Sequence, residues 1–180
     1  MLIDSFSNAE LISVLGTRWR AVSDQVMGGI SRTALSHGVI DGRPSMQITG
    51  DVRLENGGGF IQAALDLAQS GQTIDASRFT GIRIVVRGNS ERYSVHLRTP
   101  DCIRPWQSYR AQFTAGPDWE AIELSFTSFA PYRLDVPLDK TRLLRIGVVA
   151  IGRPFHADLA ISEIAFHSKA LNPPAIRWRR

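Results

Sequence analysis

Cysteine, histidine and clustered carboxylates are the side chains that most often catalyse or ligate, and this chain carries few of them. Cys102 is its single thiol, in the run Pro100-Asp101-Cys102-Ile103-Arg104. The Arg104 charge would favour a thiolate there. A lone cysteine without a base is nevertheless expected to be inert, and it has no partner for a disulfide. The four histidines, His37, His96, His156 and His167, lie far apart, so a zinc site would have to be assembled from distant strands and none is expected. The chain has no Gly-x-x-x-x-Gly-Lys-Ser/Thr phosphate cradle, no Gly-x-Ser-x-Gly elbow and no His-Glu-x-x-His run. The expectation is a protein with no catalytic residues, no metal and no cofactor, and not an enzyme.

The remaining chemistry is that of recognition. Ser94, His96 and Arg98 alternate with apolar residues in one strand-like segment, and Ser108, Arg110 and Gln112 do so in the next. If the two segments pair, these six form one solvated face with Trp106 at its rim. Arginine grips carboxylates or phosphates, and tryptophan stacks on a sugar or a base. A second cluster runs from Trp19 through Asp24, Gln25, Val26, Met27, Gly28 and Gly29 to Ser31. Asp24 is suited to accept backbone N–H bonds and fix a turn. Met27 is expected to plug the core, and the whole reads as a loop locked onto a strand or as the wall of a cleft. Gly57-Gly58-Gly59 reads as a hairpin or bulge, with a backbone nest for an anion as the alternative. The candidate recognition set is Asp24, Gln25, Met27, Ser31, Asn56, Arg98, Trp106 and Tyr109. Tyr109 sits on the apolar parity of its segment, which pulls it toward the core.

The elements that must position these residues are strands. Hydrophobic residues make up 43% of the 180 and charged residues 21%, as in ordinary globular domains. Period-two alternation runs through Met46, Ile48, Val52 and Leu54, then Ile82, Ile84 and Val86, then Tyr93, Val95 and Leu97, then Tyr109, Ala111 and Phe113, then Ile122, Leu124 and Phe126. Leu144 to Ile151 is nearly apolar on both faces and reads as a central strand. Leu159 and Ile161 share one parity, Ile164 and Phe166 the other, so a bulge is expected at Ser162-Glu163. Nine or ten strands with turns between them predict an all-β sandwich or barrel. The capping-box spacing of Ser7-Asn8-Ala9-Glu10 adds a short N-terminal helix over 8–15. One domain over 1–169 and a basic tail over 170–180 are expected.

Net charge is +4, and Arg177, Arg179 and Arg180 supply three of those charges. Nucleic acid is therefore an unfavoured partner. No apolar run is long enough to span a bilayer. The first residues lack the basic and apolar regions of a signal peptide, which predicts a cytoplasmic location.

Taken in order, several segments resemble the complex I intermediate-associated protein family. They are Trp19 with Ser23 to Ser31, Leu54-Glu55-Asn56-Gly57-Gly58-Gly59-Phe60, Asp75-x-Ser77-x-Phe79-x-Gly81-Ile82, Arg92 to Thr99, and Trp106-Gln107-Ser108-Tyr109-x-Ala111-x-Phe113. Order and spacing hold over about residues 3–167. Gly57 stands where the family often has a second Asn. The resemblance implies a galactose-binding-domain-like jelly-roll β-sandwich. It also implies an assembly chaperone for respiratory complex I that is absent from the finished enzyme, with a protein client, such as respiratory-complex subunits, as partner. Related domains in photosynthetic organisms are joined to dehydrogenase-like domains and take part in RNA-associated assembly. The family provides no catalytic residues to carry over. This chain resembles a bacterial-type, stand-alone member. Carbohydrate binding, with a small sugar as ligand, is the rival expectation.

Overall fold

The structure is a computed structural model and describes residues 1–168. The described residues form twelve strands: β1 (Leu2–Asp4), β2 (Arg20–Ser23), β3 (Arg32–Ile40), β4 (Arg43–Val52), β5 (Phe60–Asp66), β6 (Gly81–Gly88), β7 (Glu91–Arg98), β8 (Ser108–Ala115), β9 (Glu120–Ser125), β10 (Ala130–Tyr132), β11 (Arg145–Ile151) and β12 (Phe155–His167). They build two six-stranded sheets. One runs β3-β4-β12-β6-β9 with β1 added beside β12, the other β10-β8-β7-β11-β5-β2. Every pairing is antiparallel.

Alternation places one parity of each strand between the sheets. Met46, Ile48, Ile82, Ile84 and Val86 from the first sheet face a single core that also takes Ile61, Tyr93, Val95, Leu97 and Ile146 from the second. Outward residues of β6 pair instead: Arg83 with Glu163 and Arg87 with Asp41. The alternation pattern left sandwich and barrel open, and the chain adopts the two-sheet sandwich that the family resemblance implies. β11 lies between β5 and β7, as its two-sided apolar sequence requires. In β12 the register on β6 shifts between Ile161 and Glu163, so Ile161, Ile164 and Phe166 all point inward despite their mixed parity.

Three expectations fail. Residues 8–15 form no helix. Asn8 accepts from the Glu10 amide at 2.8 Å, Leu11 takes a positive φ of 56°, and Ile12 bridges Arg18. Glu10 pairs with Arg18 rather than closing a capping box. Leu54 is exposed, because β4 ends at Val52. Gly57 to Gly59 do not turn a hairpin, since β4 and β5 belong to different sheets. β1, β2, β3 and β10 lacked a clear signal; three of them have three or four residues, and β3 has no uninterrupted apolar parity. The expected tail over 170–180 lies outside the described residues.

Candidate recognition cleft

The signature around Asp24 is a latch. Its carboxylate is fully buried at the start of a single 3-10 turn over Asp24–Met27. Oδ1 accepts from the Ser31 amide at 2.9 Å. Oδ2 accepts from the Ser31 hydroxyl and the Gly59 amide, both at 2.5 Å, and from the Phe60 amide at 3.3 Å. Burial works against the charged form, but these bonds outweigh it and hold the Asp24 carboxyl below the usual range. A side chain at Gly29 or Gly58 would collide with the Asp24 carboxyl, which is why small residues stand at both places. The anion that the Gly59 and Phe60 amides bind is thus the chain's own Asp24. Trp19, first residue of the signature, is a core residue. Its Nε1 donates to Asp4 at 2.8 Å and its ring meets Phe6. Asp4 is buried as well, and there burial prevails and raises the carboxyl pKa.

The latch fixes one wall of a cleft of about 470 Å³ that crosses the outer face of the second sheet. Val26 and Met27, 74% and 51% exposed, stand beside β2 on one side. Trp106, 45% exposed, stands with Tyr132 near β10 on the other. Val149 and Ile151 of β11 contribute to the floor. Gly147 lies beneath the Gln62 side chain, which leaves no room for a Cβ. β7 and β8 pair as expected, with Ser94 opposite Gln112 and His96 opposite Arg110.

Arg98 holds the loop that bears Trp106. Its guanidinium donates to the carbonyls of Cys102 and Pro105 at 2.7 Å and of Arg104 at 3.1 Å. Arg110 donates to Ser108 Oγ at 2.9 Å, and its guanidinium carbon sits 3.5 Å from the Tyr132 ring centroid. Burial lowers the pKa of both guanidinium groups. The imidazole of His96 is buried, and its Nε2 has no hydrogen-bond partner. Burial, aided by the Arg110 charge, pushes its pKa down to about 3, so the ring is neutral. A second hollow between Asp51–Glu55 and Pro154–Phe155 contains none of the predicted recognition residues.

Of the eight candidates, Met27, Arg98 and Trp106 meet on the cleft. Asp24 and Ser31 are buried and act through the latch; neither is a contact residue. Gln25 and Asn56 are exposed on the two latched loops but do not line the cleft. Tyr109 is fully buried, facing the core, with its hydroxyl on the Pro137 carbonyl at 3.2 Å. Met27 does not plug the core as expected, because Asp24 fills the space under the turn. The polar face is less solvated than its sequence suggests, since Ser94, His96 and Ser108 are buried. Sequence reasoning missed Tyr132, Arg133, Arg145 and Gln62 on the cleft. Tyr132 ends, and Arg133 follows, a three-residue edge strand too short to show a period. Among the described residues, no group of three or more His, Cys, Asp or Glu is arranged to hold a metal ion, and no helix is long and apolar enough to cross a membrane.

This two-sheet jelly roll is the architecture of galactose-binding-like modules. The family 11 carbohydrate-binding module of the cellulosomal cellulase Lic26A-Cel5E of Clostridium thermocellum is similar in structure, with a TM-score of 0.70, 14% identity and coverage of 94% of each chain. The family 30 module of Cel9D-Cel44B from the same organism has a TM-score of 0.62 at 13% identity, covering 94% of this chain and 99% of that one. An exo-beta-agarase matches over 96% of this chain and 25% of its own, with a TM-score of 0.59 at 11% identity. At such identities the likeness establishes the fold alone. Residues 6–158 match the model of Complex I intermediate-associated protein 30 (CIA30), and the chain belongs to that family. No curated protein sequence matches it significantly.

Proposed function

We propose that the protein is a non-catalytic binding module that assists the assembly of a protein complex, receiving its client in the cleft on the second sheet. The observation that carries this reading is the preformed cleft itself. Its walls hold an exposed tryptophan and an exposed Val26-Met27 pair on a latched turn, features of a recognition surface. Membership of the Complex I intermediate-associated family supports a client among respiratory-complex subunits. The test is native gel electrophoresis of solubilised complex I assembly intermediates with the purified protein added. Co-migration with a subcomplex, reduced by Trp106→Ala, supports the reading. Failure to co-migrate with any intermediate overturns it.

A second reading, carbohydrate binding, is favoured by one observation. Similar solved structures are carbohydrate-binding modules, one of them in complex with a beta-1,3-1,4-mixed-linked tetrasaccharide. Calorimetric titration with mixed-linkage glucan oligosaccharides checks it, and absence of heat across the series removes it.

A further inference from the structure

The cleft carries a charge imbalance that the fold leaves unresolved. Arg98, Arg110, Arg133 and Arg145 line it, and no aspartate or glutamate does. Asp66 neutralises Arg145, with Nε 2.6 Å from Oδ1, and is shared with Arg20. The other three arginines have no carboxylate within salt-bridge distance among the described residues. Arg98 is committed to the three loop carbonyls. Arg110 rests on Ser108 and the Tyr132 ring, and the Arg133 guanidinium lies 5.5 Å from the same ring. The half-buried Arg110 guanidinium is partly withdrawn from water without a counter-charge, which is unfavourable, and the exposed Arg133 sets a second unpaired cation beside it. Beside these cations, buried His96 has a ring nitrogen with no partner. Arg110 and Arg133 therefore lack a carboxylate partner, and the charge missing beside them is negative.

The opposite wall is aliphatic. Val26, Met27 and Leu54 are exposed there, and methionine adapts to varied apolar side chains. The sheet is six strands wide. At about 4.8 Å per strand, the cleft suits roughly six to eight residues of extended peptide. A neutral sugar brings no counter-charge, and of the two exposed rings on that wall, Trp106 and Tyr132, the second is already occupied by Arg110. A nucleic acid needs stacking platforms along its path, which an aliphatic wall does not provide.

We infer that the cleft receives an acidic, aliphatic peptide segment of the client, with a carboxylate placed between Arg110 and Arg133 and a neighbouring aliphatic side chain set against Met27 and Val26. This deepens the client reading and rests on it. The carboxylate supplies the charge the cleft lacks, in the bidentate geometry that guanidinium favours.

Calorimetry on the full chain tests the idea with the peptide acetyl-Gly-Glu-Leu-Asp-Leu-Glu-Leu-Gly-amide. The control peptide replaces each acid by its amide, and trigalacturonate serves as an acidic sugar. The acidic peptide is expected to bind, with affinity falling as salt rises, and the amide peptide to bind about tenfold more weakly or not at all. Arg133→Gln and Arg110→Gln should each weaken the acidic peptide roughly tenfold without changing the amide peptide. Arg133→Gln keeps the test decisive if Arg110→Gln lowers the urea midpoint. Equal affinity for both peptides, no binding of either, or preference for trigalacturonate overturns the inference. Co-migration with assembly intermediates that persists despite any of these outcomes leaves the client reading standing and removes only its acidic character.

Discussion

Asp24 shows how one side chain can define a family signature without touching a ligand. Its carboxylate accepts four hydrogen bonds from two loops that are 35 residues apart at Gly59. Asp24→Asn offers an N–H₂ where donors already point inward. We expect it to destabilise the fold by about 2 kcal/mol or more, since bonds to a charged acceptor are the stronger kind; urea denaturation checks this. Asp24 contributes stability above its unfolded pKa, near 3.8, and that contribution is lost as pH falls through its lower folded value. His96 acts at milder pH. Its unfolded ring takes up a proton near pH 6.5, whereas the folded ring resists until about 3. Between these values the unfolded state binds more protons, so stability is lost as pH falls below 6.5, at a limiting slope of about 1.4 kcal/mol per unit. His96→Leu should flatten the stability profile between pH 7 and pH 5, as read from urea midpoints at each pH. An unchanged slope would show that the buried ring does not control it.

At the scale of elements, the bulge in β12 reconciles sequence parity with burial. Ser162 is the extra residue, because Ile161 faces Val86 and Glu163 faces Val85. Deleting Ser162 restores a regular strand in which Ile161, Ile164 and Phe166 still point inward. We expect this deletion to fold, with lost strand bending as its main cost. Deleting Ala165 turns Phe166 outward, because a one-residue slip reverses the faces, and that chain should fail to fold. Circular dichroism and solubility of the two deletions make the comparison. The parity change was legible in the residues themselves, and so was the central place of β11. The absent helix at 8–15 was not foreseeable from a capping box. Its outcome was decided by the bridge of Ile12 to Arg18 and by the Glu10–Arg18 pair, contacts beyond the reach of a four-residue pattern.

The whole molecule holds one core that both sheets share. We therefore expect a single cooperative transition in urea, with far-ultraviolet dichroism and tryptophan fluorescence changing together. Separate midpoints would mean that the sheets unfold independently. Charge is also distributed at this scale. Arg83 lies beside Glu163 and Arg142 beside Asp101 and Asp139, whereas three of the four cleft arginines have no carboxylate within salt-bridge distance among the described residues. A net charge count conceals this local excess.

Alternating side chains, turn residues and the spacing of the Asp24 signature determined the all-β class, its central strand and the family, because each is written in residues near one another in the chain. The cleft was decided only by the tertiary structure. The outward faces of the two sheets read alike in sequence, and only the pairing order made one concave and brought Met27, Trp106, Tyr132 and Ile151 to it. The same packing left Trp106 in the open, whereas the burial of Tyr109 followed the apolar parity of its strand. Burial at that level depends on which strands meet across the molecule, and a period of two carries no information about that.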